Sequence, residues 1–260
     1  MKYGFIGCGN LGGAIAKALA KRTKDFILTD RSGKAKTLAE QLGVQYGTNE
    51  DAAACDRVFL GVKPHMMRDC LAPLQPVLRE KNPLLITMAA GLTIGQIEAF
   101  AGTRLPIIRI MPNTPVTVGK GVIQYCRNDL VDDTTLADFL EDMYYAGTLD
   151  ALDERLIDAA SALSGCGPAF VYMFIEALAD GAVACGIPRA KAMEYAAATV
   201  IGAGEMVRAT GQHPGALKDA VCSPGGSTIA GVRTLEQHGF RGAVMDCVAA
   251  AYKRSQELGK

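Results

Sequence analysis

The chain has 260 residues, 49% hydrophobic and 21% charged, so it has enough apolar material for one large or two smaller globular domains. Its 27 acidic and 27 basic residues cancel, and no dense run of Lys or Arg occurs. Nucleic acid and membrane are therefore not expected as partners, and small-molecule chemistry is the expected kind of function.

The eight cysteines are scattered, with neither a Cys-x-x-Cys pair nor a His-x-x-x-His spacing beside them. Neither a metal site nor a disulfide framework is indicated, and reduced thiols fit a cytoplasmic protein without a signal peptide. The apolar stretch from Leu156 to Ile187 contains Asp158, Pro168, Glu176 and Asp180, which argues against a membrane span.

The first apolar strand leads into Gly7-Cys8-Gly9-Asn10-Leu11-Gly12 and then into a helix of small residues. In a dinucleotide-binding turn, Gly7 permits the tight turn, Gly9 lets the backbone approach a pyrophosphate, and Gly12 lets the helix pack closely on the strand. The free N–H groups at the helix start favour phosphates. An ordinary strand-to-helix turn is the alternative interpretation.

Short apolar strands and helices alternate over the first 110 residues. Strands are predicted at residues 2–6, 26–30, 57–62, 84–88 and 106–110, and helices at residues 11–21, 34–42, 65–78 and 94–100. This alternation predicts a mostly parallel, doubly wound sheet covered on both faces, which a βαβ-like stretch over residues 118–149 completes.

From residue 152 onward only helices are predicted, at residues 153–163, 168–185, 189–209, 214–220, 227–237 and 242–258. We therefore expect an α/β dinucleotide-binding domain over residues 1–151 and an all-helical domain over residues 152–260.

The loop after the second strand carries Asp30, Arg31 and Ser32. An acidic residue there can hold ribose hydroxyls, which favours NAD, whereas an arginine with a hydroxyl can bind a 2′-phosphate, which favours NADP. We favour NADPH because Arg31 and Ser32 would otherwise have no role. NADH is the alternative donor, and a solvated turn is the alternative structure.

Three more loops follow strands of the same sheet: Gly61-Val62-Lys63-Pro64, Ala89-Ala90-Gly91 and Met111-Pro112-Asn113-Thr114-Pro115. Open α/β sheets bind ligands at the carboxyl ends of their strands, so these loops are expected to line one cleft. In the helical region, the glycine pair of Ser223-Pro224-Gly225-Gly226-Ser227-Thr228-Ile229 stands at a helix start. Free N–H groups there suit a small anion such as a carboxylate, unless Ser223 or Ser227 merely caps the helix.

Together these motifs resemble the pyrroline-5-carboxylate reductases, from the glycine turn through Val62-Lys63-Pro64 and Met111–Pro115 to Lys253-Arg254-Ser255 near the end. The segment Ser223–Ile229 is the most specific part. The resemblance implies an N-terminal Rossmann domain and a helical C-terminal dimerisation domain. Cys166 departs from the family, which commonly has serine there, and a thiol is the weaker hydrogen-bond donor.

The resemblance implies that NAD(P)H reduces the C=N bond of 1-pyrroline-5-carboxylate to give L-proline, the last step of proline biosynthesis. The cofactor-binding residues expected from the resemblance and the strand ends are Ile6, Gly7, Cys8, Gly9, Asn10, Leu11, Arg31, Ser32, Asn49, Val62, Lys63, Pro64, Met88, Ala89, Ala90, Asn113 and Glu154.

The substrate-binding residues implied are Ser223, Gly225, Gly226, Ser227 and Thr228. The substrate carboxylate is expected on the N–H groups of residues 225–227, and the hydroxyl of Thr228, the expected catalytic residue, on the ring nitrogen. A protonated imine accepts hydride readily, so positioning does most of the work.

Two other functions fit the layout. A β-hydroxyacid dehydrogenase-like oxidoreductase needs a catalytic lysine that Gly202-Ala203-Gly204-Glu205 does not offer, and a non-enzymatic NADP-sensing protein has no use for the Ser223–Thr228 loop. The apolar helices and the resemblance imply a homodimer, or a higher homo-oligomer built from dimers. In such an assembly the Ser223–Thr228 loop of one chain is expected to face its partner's cofactor.

Overall fold

In the computed structural model, which describes residues 1–258, eight strands form one sheet in the order β3-β2-β1-β4-β5-β6-β7-β8. The strands are β1 Tyr3–Ile6, β2 Phe26–Thr29, β3 Gln45–Tyr46, β4 Arg57–Leu60, β5 Leu84–Thr87, β6 Ile107–Met111, β7 Gly121–Arg127 and β8 Gly147–Ala151. Every neighbouring pair is parallel except β6 and β7, so the sheet is mostly parallel, as predicted.

The helices follow the strands with the alternation that parallel pairing requires. They are α1 Asn10–Leu19, α2 Lys34–Leu42, α3 Asn49–Ala53, α4 Met67–Leu71, α5 Gln75–Lys81, α6 Ile94–Ala101, α7 Asp133–Asp142, α8 Glu154–Ser164, α9 Gly167–Ala184, α10 Arg189–Thr210, α11 Pro214–Ala220, α12 Ser227–Gln237 and α13 Phe240–Leu258.

The sheet has one apolar cluster on each face. On one face, Phe5 of β1 stacks on Phe59 of β4 with ring centroids 4.5 Å apart. On the other face, Leu60, Leu85 and Ile107 pack with α4 and α6. All residues of β1, β2, β4 and β5 are buried, as the continuous apolar runs predict for strands covered on both sides.

Two details differ from the sequence prediction. The short strand β3 and helix α3 were not predicted. The single helix predicted over residues 65–78 is instead a 3₁₀ turn at Pro64–Met66, then α4, a second 3₁₀ turn at Ala72–Leu74 and α5. Pro73 and Pro76 lack the N–H that a continuous helix needs, and each lies at the start of a new helical segment.

The chain forms two compact units, residues 1–166 with the segment from Ala251, and residues 167–250. This division falls after Cys166 and not after residue 151, because α8 packs against β7 in the first unit. The predicted domain boundary at residue 151 therefore stays a prediction.

The second unit consists of helices, and the structure has no strand between residues 152 and 258. Its buried core is small and consists of Ala179, Ala192 and Ala196. Large apolar side chains remain exposed, including Met173, Ile201 and Met245 at 67–72%. An 18-residue window within Glu154–Ala184, 11% buried, has a mean hydropathy of 1.4, which by length and composition alone would suffice to cross a membrane.

Candidate active site

Three glycines bring β1, β4 and α1 together at the carboxyl end of the sheet. Gly7 turns the chain after β1 with φ +97°. A Cβ atom on Gly12 would lie 2.3 Å from the Gly7 carbonyl oxygen, and one on Gly61 would lie 2.2 Å from the same atom. Backbone therefore meets backbone where any side chain would clash, as predicted for Gly7 and Gly12.

Gly9 differs from these three glycines because a Cβ atom there would meet nothing within 4 Å. It precedes the first residue of α1, and no side chain caps that helix start. The open space above Gly9 and the N–H groups of the first turn form a cradle that suits a phosphate group. The residues present therefore fit the pyrophosphate of a dinucleotide.

A cleft of about 390 Å³ adjoins this turn. It brings together nine of the predicted cofactor residues: Ile6, Gly7, Cys8, Gly9, Arg31, Ser32, Asn49, Val62 and Lys63. The segment after Lys63 supplies further lining residues that the sequence analysis did not single out: His65, Met66, Asp69, Cys70 and Pro73. These residues could have been predicted from the sequence, because their segment directly follows a strand that ends at the cleft.

The loop after β2 engages its own acidic residue. The Ser32 hydroxyl donates to one oxygen of Asp30 at 2.7 Å, and the Gly33 N–H donates to the other at 2.9 Å. Arg31 is exposed and makes no hydrogen bond or ion pair within residues 1–258. The group free for a ligand is therefore the guanidinium, which favours a 2′-phosphate over bare ribose hydroxyls.

The charge of Arg31 also reaches the cleft wall. Burial raises the pKa of the Cys70 thiol, and the Arg31 guanidinium partly offsets that rise. Burial raises the pKa of the Cys8 thiol to about 12, and the nearby Asp30 adds to the rise. Cys8 therefore stays protonated at neutral pH and is no nucleophile.

Asn49 is placed in the cleft by α3. It is the first residue of this helix, which Thr48 caps through a reciprocal pair of bonds with Asp51. The Thr29 hydroxyl donates to the Asn49 side-chain oxygen at 3.1 Å. That bond fixes the orientation of the amide and leaves its NH₂ group available to a ligand.

Other predicted cofactor residues lie outside this cleft. Asn10 lines a neighbouring cleft of about 510 Å³ with Lys17 and Lys34. Leu11, the second residue of α1, packs against the core, and Pro64 begins the 3₁₀ turn after Lys63. Met88, Ala89 and Ala90 follow β5, and Met88 and Ala89 are buried.

The Asn113 amide and one carboxylate oxygen of Glu154 are engaged by the protein itself. The Asn113 amide donates to the Ser164 carbonyl and accepts from the Val122 N–H, both at 2.9 Å. One Glu154 oxygen accepts from the Ile94 N–H at 2.7 Å and from Arg109 at 3.3 Å. Asn113 links β7 to the end of α8, and Glu154 links α8 to α6 and β6. A direct contact of either residue with the cofactor stays a prediction.

The predicted substrate loop lies in the second unit and is mostly exposed. Gly225 has φ +68°, and the Gly226 N–H closes the turn on the Ser223 carbonyl at 3.0 Å. Helix α12 then begins at Ser227, and no side chain caps it. Thr228 is exposed, and its hydroxyl has no partner within residues 1–258. The free N–H groups and hydroxyl predicted for an anion site are therefore present.

The chain matches known proteins over its whole length. It is 41% identical to the pyrroline-5-carboxylate reductase of Escherichia coli, with 100% of this chain and 98% of that protein covered, and 40% identical to that of Pisum sativum, with 98% and 95% covered. The chain belongs to the pyrroline-5-carboxylate reductase family. Residues 154–258 match the model of pyrroline-5-carboxylate reductase dimerisation, and residues 2–91 match that of NADP oxidoreductase, coenzyme F420-dependent.

Solved structures agree. The Plasmodium falciparum pyrroline carboxylate reductase with NADP bound superposes with a TM-score of 0.90 at 35% identity and covers 100% of this chain and 98% of its own. The Streptococcus pyogenes 1-pyrroline-5-carboxylate reductase also gives 0.90, at 34% identity with 99% and 98% covered. Membership of this reductase family decides against the dehydrogenase and the non-enzymatic sensor considered above.

The glycine geometry separates cofactor binding from folding. We expect Gly9→Ala to keep the thermal unfolding temperature and to weaken NADPH binding, because its methyl group enters only the open cradle. Gly12→Ala is the matched control and should lower the free energy of unfolding by about 1–3 kcal/mol, since its methyl group meets backbone. Calorimetry and fluorescence titration with NADPH measure the two effects. Tight NADPH binding by Gly9→Ala would contradict the phosphate role.

Proposed function

We propose that this chain reduces the C=N bond of 1-pyrroline-5-carboxylate with NADPH to give L-proline. The observation that carries the proposal is full-length membership of the reductase family in a chain whose glycine turn and ribose loop line one cleft. In this reaction the cofactor supplies the hydride. The residues of the chain bind, orient and shield the reactants.

On the cofactor side, the uncapped N–H groups after Gly9 bind the pyrophosphate. Arg31 binds the 2′-phosphate, and Ser32 adds a hydroxyl beside it. Asn49 holds the adenosine side through its free NH₂ group. Val62 and Lys63 line the same cleft toward the ribose. These contacts would hold the cofactor in one position and orientation, which sets the geometry of hydride transfer.

On the substrate side, the N–H groups at the start of α12 bind the carboxylate, with Ser223 and Ser227 beside it. The Thr228 hydroxyl oxygen accepts a hydrogen bond from the protonated ring nitrogen. This bond favours the iminium form, whose carbon is the better hydride acceptor. A protonated imine needs no covalent nucleophile, which agrees with the neutral Cys8 thiol in the cofactor cleft.

The assembly is proposed from the helical region. Residues 154–258 match the family's dimerisation model, and the exposed apolar side chains of α9, α10 and α13 need a cover. We infer a homodimer, or a larger homo-oligomer built from dimers, in the cytoplasm. The apolar window within Glu154–Ala184 lies largely in this region, so an interface between subunits accounts for it better than a membrane.

The direct test is an assay of the purified chain with chelator present. We expect the absorbance of NADPH at about 340 nm to fall when pyrroline-5-carboxylate is added, and one L-proline to form for each NADPH consumed. A β-hydroxyacid supplied with the oxidised cofactor is the control, and we expect it to give no reduction of that cofactor. Absence of proline formation, or turnover that disappears with the chelator, would contradict the proposal.

Arg31 should decide between the two cofactors. Arg31→Ala is expected to raise KM for NADPH about 10- to 100-fold and to change KM for NADH little, because only NADPH carries the phosphate that the guanidinium binds. Lys34→Ala is the matched control, since Lys34 is also a free cation near the loop but lines the neighbouring cleft. Equal losses with both cofactors would assign Arg31 to the fold.

Thr228 should affect the imine step. Thr228→Val is expected to lower kcat/KM for the imine about 10- to 100-fold, the effect of one lost hydrogen bond to a charged group, while NADPH affinity stays unchanged. Thr234→Val on the same helix is the control, because the Thr234 hydroxyl donates to the Ala230 carbonyl at 3.2 Å. Full activity in Thr228→Val would show that this hydroxyl does not act on the ring nitrogen.

A further inference from the structure

Arg109 is a charged side chain inside the sheet. It lies on β6 between Thr87 of β5 and Cys126 of β7, and its side chain is 1% exposed. Its Nε has no hydrogen-bond partner within residues 1–258. Burying an arginine with an unpartnered N–H lowers the stability of the fold, and an apolar residue of similar volume would often give a fold that is equally stable. Its position therefore calls for a second role.

The guanidinium binds two carboxylates on one face of α8. Its Nη1 donates to Glu154 at 3.3 Å, and its Nη2 donates to Asp158 at 2.6 Å. The two acidic residues are one helical turn apart and equally accessible, with side-chain exposures of 32% and 29%. They differ in one respect: Glu154 also accepts a hydrogen bond from a second element, and Asp158 does not.

The same Glu154 oxygen that faces Arg109 accepts the N–H of Ile94 at 2.7 Å. Ile94 is the first residue of α6, where an N–H has no partner inside the helix and where negative charge is favoured. Arg109 thus holds Glu154, and Glu154 holds the start of α6.

The segment that this contact fixes is the turn of residues 88–93 between β5 and α6. Its hydrogen bonds to the strands are longer: the Met88 N–H donates to the Leu60 carbonyl at 3.3 Å, and the Ala89 N–H donates to the Thr87 hydroxyl at 3.4 Å. The turn also contains Gly91 with φ +75° and closes through a bond of 3.4 Å from the Leu92 N–H to the Ala89 carbonyl. Thr93 and Gln96 cap the start of α6 within the helix itself, and the bond to Glu154 is the shortest hydrogen bond from residues 88–94 to another element.

We infer that Arg109 is a positioning residue for hydride transfer, acting through Glu154 on the turn of residues 88–93. The inference rests on the proposed function and on the expectation that Met88, Ala89 and Ala90 of this turn bind the cofactor at its nicotinamide end. Loosening the turn misplaces the hydride donor relative to the imine while the phosphate contacts remain. Catalysis then falls more than cofactor binding does.

The test compares four variants of the full-length enzyme. Glu154→Gln and Arg109→Met are expected to lower kcat about 10- to 100-fold while KM for NADPH changes less than about threefold. Amide hydrogen exchange of residues 88–94 should become faster in both. Asp158→Asn is the matched control, because it weakens the other ion pair of Arg109 at a residue that makes no hydrogen bond to α6. Its kcat and its amide hydrogen exchange should match those of the wild type.

Arg109→Lys should restore part of kcat relative to Arg109→Met, since one ammonium group can still hold Glu154. If Arg109→Met does not fold, Glu154→Gln carries the test, because its side chain is part-exposed and nearly isosteric. Unchanged kcat in Glu154→Gln, or equal losses in Asp158→Asn, would overturn the inference. Failure of the proposed function would show in the wild type as absence of proline formation, and the exchange measurement would still decide whether Glu154 holds the turn.

Discussion

The cofactor cleft depends on one close approach, in which the backbones of Gly7, Gly12 and Gly61 meet with no room for a side chain. A Cβ atom at Gly12 or Gly61 would lie within 2.3 Å of the Gly7 carbonyl. This contact lets α1 begin close to the carboxyl ends of β1 and β4. The uncapped N–H groups of α1 and the Val62-Lys63 segment then line the same space, so the fit to a phosphate group is a consequence of packing.

Among the charged residues of the sheet domain, some are held by the protein itself and others remain free. Asp30 is bound by its own loop, and Glu154 and Asp158 are bound by Arg109. Arg31 and Lys63 stay exposed in or beside the cleft. These three carboxylates organise the structure, whereas Asp69 in the cleft lining has no ion pair within residues 1–258, and Arg31 and Lys63 are left available to an anionic ligand. A site of this kind works by positioning, which suits an imine that reacts readily once it is held.

The sequence predicted the parts of the fold that depend on local pattern. Buried parallel strands give continuous apolar runs, so β1, β2, β4 and β5 were found. Strand β3 has two exposed residues and no such pattern, whereas α3 could have been found from Thr48 and Asp51, which have the spacing of a capping box. The engagement of Asn113 by Ser164 joins residues distant in sequence, so no local pattern announces it. For the same reason Arg109 was not singled out.

The helical unit links folding to assembly. Its buried core is three alanines, while methionine, tyrosine and isoleucine side chains of α9, α10 and α13 are exposed in the single chain. Burial of apolar area is the main favourable term in folding, and three alanines supply little of it. In the proposed homo-oligomer a subunit interface would add the missing burial, and we expect the stability of this unit to depend on subunit concentration. The proposed substrate loop belongs to this unit, so we expect its geometry to depend on the same association that covers these helices.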